Sequence, residues 1–288
     1  MSALTATRIF LKDIRVEHTL FALPFAYVGA VLAARGAPTL GQILWITLAV
    51  LGARTAAMAA NRYFDRDLDA RNPRTARRAL ASGTLAPRVM LYAIVGGLAV
   101  LVLAASQLNS LCIVLAPVAA LGIIAYPLCK RFTWGVHFVL GAIDGLAPLG
   151  AFIAIAGTVT WAAFALFVAV TLWVAGFDVI YALMDRDVDV AQGIRSIPAR
   201  FGEARGRTLS IALHAVMVIL LAAVGWLAGA GPAYYVGVAL AAVLAWYEQR
   251  LLGIAKNLFI LNERVFVSNM VFSVAFLCTT LGGFLIRT

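Results

Sequence analysis

Nine apolar runs, each close to the 17 to 25 or so residues that a helix needs to cross roughly 30 Å of hydrocarbon, recur along this chain of 288 residues. They fall at approximately 17 to 35, 42 to 62, 89 to 107, 109 to 127, 134 to 156, 161 to 184, 208 to 229, 232 to 248 and 267 to 286. Hydrophobic residues make up 63% of the chain and charged residues 12%, which leaves too little polar surface to cover a water-soluble fold. The expected fold class is an all-α integral membrane protein with nine spans. Arg8, Lys12, Asp13, Arg15 and Glu17 precede the first run without a signal-peptide pattern, and no small-residue cleavage site follows it, so this span is expected to stay in the mature protein.

The formal net charge of +10 raises the question of nucleic acid, but the positions of the basic residues point elsewhere. Of 23 Lys and Arg, 20 lie before the first span or in the connections after spans two, four, six and eight, while Arg35 and Arg287 fall on the opposite side and Arg54 inside a span. That is the positive-inside asymmetry of a helical membrane protein. It predicts a bacterial-type cytoplasmic (inner) membrane, membrane lipid and no nucleic acid as partner, the N-terminus and the Tyr126 to Arg131 segment facing the cytoplasm, and the C-terminus outside. The far-side connections, around Gln107 to Ser110, Gly157 to Thr160 and Gly229 to Pro232, are short and uncharged. Cys112, Cys129 and Cys278, like His18, His137 and His214, show no metal-type spacing, so a catalytic zinc or a thiol nucleophile is unsupported.

Six of the thirteen acidic residues sit in two matched strings, Asp65-Arg66-Asp67-Leu68-Asp69 and, 120 positions later, Asp185-Arg186-Asp187-Val188-Asp189. At about 100° per helical residue, Arg54, Asn61, Asp65 and Asp69 form one narrow stripe, and Asp178, Asp185 and Asp189 form a second. Asp67 and Asp187 point off these stripes and are expected to face water or pair with neighbouring arginines. Like charges clustered twice call for cations, and hard oxygen ligands favour Mg²⁺, usually completed by substrate phosphates. Asp65 and Asp69, with Asn61 supplying a neutral oxygen, and Asp185 and Asp189 are therefore the candidate metal ligands. Both strings face the cytoplasmic side. Arg74, Arg77 and Arg78 after the first string, Lys130 and Arg131 closing span four, and Arg195 and Arg200 after the second are candidates to hold a phosphate.

Asn61-x-x-x-Asp65-x-x-x-Asp69, Tyr126-x-x-x-Lys130 and Asp185-x-x-x-Asp189, in this order over nine spans, resemble the UbiA superfamily of intramembrane prenyltransferases. The resemblance covers nearly the whole chain, so residues 1–288 are expected to form a single domain. It implies a bundle of nine transmembrane helices around a central cavity with a cytoplasmic-facing active site, two Mg²⁺ ions on the aspartate motifs, and transfer of an isoprenoid chain from its diphosphate to an acceptor. The stretches from Arg74 to Gly83 and from Tyr181 to Gly193 and on to Phe201-Gly202 resemble the 4-hydroxybenzoate polyprenyltransferase branch of quinone biosynthesis, except that Arg77-Arg78-Ala79 replaces the frequent Asn-Arg-Pro. The segments Glu17 to Phe25 and Ser196 to Gly202 look more like a subgroup of the futalosine route to menaquinone, where the acceptor is 1,4-dihydroxy-6-naphthoate. Both acceptors stay open.

The resemblance also implies roles. The partners are a polyprenyl diphosphate and an aromatic acid; Arg54, two turns and roughly 10 Å deeper than Asn61, binds the acceptor carboxylate, or else pairs with an intramembrane acid such as Asp144 or Asp178. Asn61, Arg74, Arg78 and Arg195 bind substrate, and Lys130 and Arg78 assist departure of the diphosphate. Tyr126, Tyr181, Phe177 or Trp173 shield the allylic cation, and Asp178 orients the phenol or accepts its proton. Two other classes remain: a secondary transporter, which more usually shows broken helices at mid-membrane, and a CDP-alcohol phosphotransferase, whose Asp-Gly and Ala-Arg pattern is missing after Asp65 and Asp69.

Overall fold

The computed structural model describes residues 3–15, 19–254 and 258–286, and among these every regular element is a helix. In chain order they are α1 (Ala3–Asp13), α2 (Thr19–Ala34), α3 (Leu40–Arg71), α4 (Pro87–Ser106), α5 (Ser110–Cys129), α6 (Val136–Ala156), α7 (Trp161–Gln192), α8 (Ile197–Phe201), α9 (Glu203–Ala228), α10 (Pro232–Ile254) and α11 (Leu258–Leu285). Glu17 and His18 of the N-terminal motif, and Arg287, lie outside the described residues.

Helix ends follow local chemistry. Thr39 opens α3 with a capping box shared with Gln42, and Asn109 and Thr160 accept from backbone N–H groups to open α5 and α7, each side chain satisfying a donor the helix cannot. Gly157, Gly193 and Gly229 close α6, α7 and α9 in the left-handed conformation that only glycine adopts without strain.

Seven helices among the described residues are long and apolar enough to cross a membrane: α3, α4, α5, α6, α7, α9 and the Glu263–Leu285 part of α11. The expected nine-span count is met only to that extent. The described apolar part of α2, Ala22–Ala34, is short, and α10 carries Glu248, Gln249 and Arg250 near its end. The amphipathic N-terminal α1 and the short α8 are additional elements that no apolar run announced.

Consecutive helices are spatial neighbours: α3 packs on α4, α5 on α6, α6 on α7, α7 on α9, and α10 on α9 and α11, while α2 lies against α3, α6 and α11 and closes the ring. Small residues let the backbones approach, as is usual between membrane helices. A Cβ on Gly52 of α3 would stand 2.6 Å from the Gly97 carbonyl of α4, and one on Gly141 of α6 would stand 2.2 Å from the Thr171 carbonyl of α7. The largest apolar core joins α2, α7, α9, α10 and α11 around Trp173, Tyr234 and Phe276.

The aspartate strings are neither loops nor helix-breaking segments. Both sit on α3 and α7, 32 residues each, which at 1.5 Å per residue run well past roughly 30 Å of hydrocarbon.

Candidate active site

The C-terminal turns of α3, α5 and α7 meet at one polar cavity of about 370 Å³. Helix C-termini carry partial negative charge in their unpaired carbonyls, and here α3 and α7 add carboxylates to it. Asp69 lies two residues and Asp189 three residues from the last residue of its helix. Such a convergence needs positive charge, and among the described residues seven Lys or Arg line the cavity beside six Asp, with Arg15, Arg74, Arg78, Lys130 and Arg195 coming from the segments that follow the helices. Arg54, Asn61, Asp65, Asp69, Arg74, Arg78, Tyr126, Lys130, Asp178, Asp185, Asp189 and Arg195 all line it.

Each string carboxylate in the cavity has a partner of its own. Lys130, the C-cap of α5, donates to Asp65 Oδ2, which also accepts from Asn61 Nδ2 at 3.1 Å. Arg78 Nη1 reaches both oxygens of Asp69, at 2.8 and 2.7 Å. Arg74 grips Asp185 with two parallel bonds, Nε to Oδ1 at 2.9 Å and Nη2 to Oδ2 at 2.5 Å, and Asn72 Nδ2 adds a third at 3.2 Å. Asp189 Oδ2 accepts from Ser196 Oγ at 2.8 Å. The Arg195 N–H donates to the Lys130 carbonyl at 2.8 Å, tying the segment after α7 to the end of α5.

Some of the remaining residues stand as the sequence suggested and others do not. Asn61 Oδ1, expected to face a cation, accepts from Arg62 Nη1 at 3.1 Å, because Arg62 is buried beside it and is anchored through Nε to the Asp13 carbonyl. Arg54 Nη1 donates to Asp144 Oδ1 at 3.1 Å. Trp173 faces away from the cavity, donating Nε1 to Asn269 Oδ1 at 2.7 Å and packing on Phe25 and Phe272, so it does not shield anything there; Phe177, Tyr181 and Tyr126 line the cavity. The Arg195 guanidinium donates to the Phe132 carbonyl at 2.6 Å and lies 5.4 Å from the Trp134 ring centroid. Arg77 is exposed, and Arg200 lies over Trp134 and Phe201. Asp67 and Asp187 point outward, 75% and 94% exposed, each bonded to the arginine before it.

Among the described residues no three acidic, histidine or cysteine side chains stand close enough to hold a metal ion by themselves. Mg²⁺ needs no such cage, since it is commonly held by one or two carboxylates, waters and substrate phosphates. The donor set fits that mode: two aspartate pairs face one cavity, and Asp65 Oδ1 is buried without a hydrogen-bond partner among the described residues.

The sequence model of the UbiA prenyltransferase family matches residues 22–258. The chain belongs to the UbiA prenyltransferase family. It is 36% identical over 230 residues to a 4-hydroxybenzoate octaprenyltransferase of Alkalilimnicola ehrlichii, covering 78% of this chain and 76% of that protein. Its fold is similar to the apo structure of a UbiA homolog from Aeropyrum pernix K1, with TM-score 0.80 and 36% identity over 89% of this chain and 96% of that one. A UbiA homolog from Archaeoglobus fulgidus bound to GPP and Mg²⁺ shares the fold at TM-score 0.74 and 20% identity, covering 96% of this chain and 100% of that one. The chain, like its family, is an integral membrane protein.

Within this family fold, three side chains to which the sequence assigned no role in the site support the named ones. His137 Nδ1 lies 2.6 Å from Asp178 Oδ2, and the backbone N–H of Ile197 donates to His137 Nε2 at 3.2 Å. A ring nitrogen that accepts a backbone N–H carries no proton, so Nδ1 bears the hydrogen and donates it to Asp178. Ser196 does two jobs, capping α8 and donating to Asp189; its sequence signal was the Ser-x-Pro helix start. Asn72, the C-cap of α3, reaches across to Asp185. No sequence spacing announces His137 or Asn72, because their partners lie on another helix.

Proposed function

We propose that the chain catalyses Mg²⁺-dependent transfer of a polyprenyl group from polyprenyl diphosphate to a hydroxylated aromatic acid, with 4-hydroxybenzoate as acceptor in quinone biosynthesis of the ubiquinone type. The observation that carries this reading is the meeting of both aspartate pairs with Lys130, Arg74, Arg78 and Arg195 in one cavity, in a chain whose relatives are named for that reaction. Asp65, Asp69, Asp185 and Asp189 would hold Mg²⁺, with Asn61 exchanging Arg62 for the ion, and the ion would neutralise diphosphate charge.

The chain's own groups do the rest. Lys130, Arg74 and Arg78, engaged by carboxylates in this structure, would with Arg195 face the diphosphate oxygens when Mg²⁺ is bound and would stabilise the charge that develops as the allylic C–O bond breaks. The aromatic faces of Tyr126, Tyr181 and Phe177 lie along the cavity where the allylic cation forms. The ring carbon ortho to the phenol forms the new C–C bond, and the ring gives up a proton. Asp178, held by the Nδ1–H of His137, orients the phenol or accepts its proton, and Arg54 takes the acceptor carboxylate. The cavity faces the cytoplasm of a bacterial inner membrane, α2 and α10 complete nine spans, and the whole chain works as one domain; the cytoplasmic bias of Lys and Arg supports this orientation. The Ser196 to Gly202 segment supports 1,4-dihydroxy-6-naphthoate as the second acceptor, with the same carboxylate.

Purified protein in liposomes with Mg²⁺, a polyprenyl diphosphate and each acid in parallel is expected to give prenylated product by mass spectrometry. EDTA is expected to abolish product and Mg²⁺ to restore it. No product from either acid, across several prenyl chain lengths with folded protein, would overturn the transferase and favour a transporter. His137→Phe, which keeps an aromatic ring and removes the donor, is expected to lower kcat about tenfold while the KM for the diphosphate holds; an unchanged kcat would remove His137 from the mechanism.

A further inference from the structure

Arg54 and Asp144 occupy a place that no other charged pair in the described structure shares. Both line the polar cavity, and both line a second, apolar cavity of about 220 Å³ walled by residues such as Val50, Ala53, Leu101 and Ile123, of which they are the sole charged lining residues among those described. Their contact is single: one nitrogen, Nη1, meets one oxygen, Oδ1, at 3.1 Å, with the side chains 16% and 14% exposed. Arg54 Nε is buried and has no hydrogen-bond partner among the described residues. A guanidinium is a rigid planar fork, and a carboxylate meets it best through two parallel N–H bonds on one edge. Contact through Nη1 leaves the Nε–Nη2 edge without a carboxylate on it.

Neither backbone is free to drift. Gly141 and Gly145 flank Asp144 and clamp α6 on α7: a Cβ at these positions would stand 2.2 Å from the Thr171 carbonyl and 2.9 Å from the Phe167 carbonyl. Gly52, two residues before Arg54, holds α3 on α4 with the same closeness, 2.6 Å to the Gly97 carbonyl. Helix packing, not a flexible loop, fixes where Asp144 stands relative to Arg54.

We infer that Asp144 is a positioning residue for acceptor selection: it holds Arg54 by one nitrogen so that the Nε–Nη2 edge receives the carboxylate of an aromatic acid. It also keeps Arg54 neutralised at a depth where an unpaired cation is costly. The inference rests on the acceptor class proposed above. It makes Asp144 a determinant of the choice between acids and neutral phenols, while leaving the diphosphate end of the cavity untouched.

The test compares wild type, Asp144→Ala and Asp144→Asn with whichever acid the wild type prenylates and with the carboxamide of that acid. Asp144→Ala is expected to raise the KM for the acid tenfold or more, leave the KM for polyprenyl diphosphate within twofold, and shrink the preference for acid over amide. Asp144→Asn, whose amide oxygen still accepts from Nη1, is expected to recover most of that loss, which also controls for folding. Equal losses with acid and amide, an unchanged or lowered KM for the acid in Asp144→Ala, or no recovery in Asp144→Asn would overturn the inference. Failure of the wild type to prenylate any acid would instead overturn the proposed function, and the inference with it.

Discussion

Asp65→Asn is expected to lower the rate of prenyl transfer by about a thousandfold, whereas Asp67→Asn, two residues along the same helix, leaves it within about twofold of wild type. The contrast comes from the helix. Asp65 is 2% exposed, with one oxygen bonded to Lys130 and Asn61 and the other buried without a partner. Asp67 is turned about 200° away, 75% exposed and bonded only to Arg66. An asparagine at 65 keeps the volume but removes the charge that Mg²⁺ and Lys130 share on the proposed chemistry. Initial rates over a range of Mg²⁺ concentrations, beside a thermal unfolding curve in detergent, separate lost chemistry from lost fold. Comparable losses in both variants would mean that the stripe geometry does not define the site.

That stripe is the part of the site most legible in sequence. Steps of four and seven return a helix to nearly the same direction, so Arg54, Asn61, Asp65 and Asp69 could be placed on one face before any coordinates, and the structure sets all four along one cavity. The outward turn of Asp67 and Asp187 follows from the same period. Periodicity along one helix is silent, however, about what stands on the next. The bond between His137 and Asp178 joins α6 to α7, and Asn72 reaches Asp185 across 113 positions. Trp173 shows the same limit from the other side. Its position on α7 allowed a place beside the cavity, yet tertiary packing against Phe25, Phe272 and Asn269 turns it into the core. Span counting was limited in another way: it registers apolar length, and so overlooks α1 and α8 and weighs α10 by its apolar start rather than by Glu248 to Arg250 at its end.

The pairings in the cavity show how one set of residues can serve two states. Four carboxylates at three negative helix ends would repel one another in a half-buried space, so a chain that is stable without its ligands must carry its own cations there. Lys130, Arg74 and Arg78 meet that need at Asp65, Asp185 and Asp69, while Asp189 receives only a neutral hydrogen bond, from the Ser196 hydroxyl. On the proposed chemistry these cations would also serve catalysis, because Lys130 and the arginines would be left to face phosphate where the carboxylates hold Mg²⁺.

Lys130→Met separates the two duties. Removing one member of a buried pair leaves an uncompensated charge, at a cost of roughly 3 kcal/mol, toward the low end because the Lys130 side chain is 23% exposed while that of Asp65 is 3% exposed. The variant is therefore expected to unfold at a lower temperature than wild type in metal-free buffer. Mg²⁺ with a non-reactive diphosphate analogue is expected to close most of that gap, since ligands that bind only the folded state stabilise it in proportion to the logarithm of their concentration over Kd and supply Asp65 with another cation. Turnover is expected to stay about a hundredfold below wild type even at saturating Mg²⁺, because no ammonium remains to meet the departing diphosphate. Recovery of both stability and turnover would reduce Lys130 to a counter-ion for Asp65. Recovery of neither would show that the metal does not take Asp65 as a ligand, and the two aspartate strings would then need a different cation, or none.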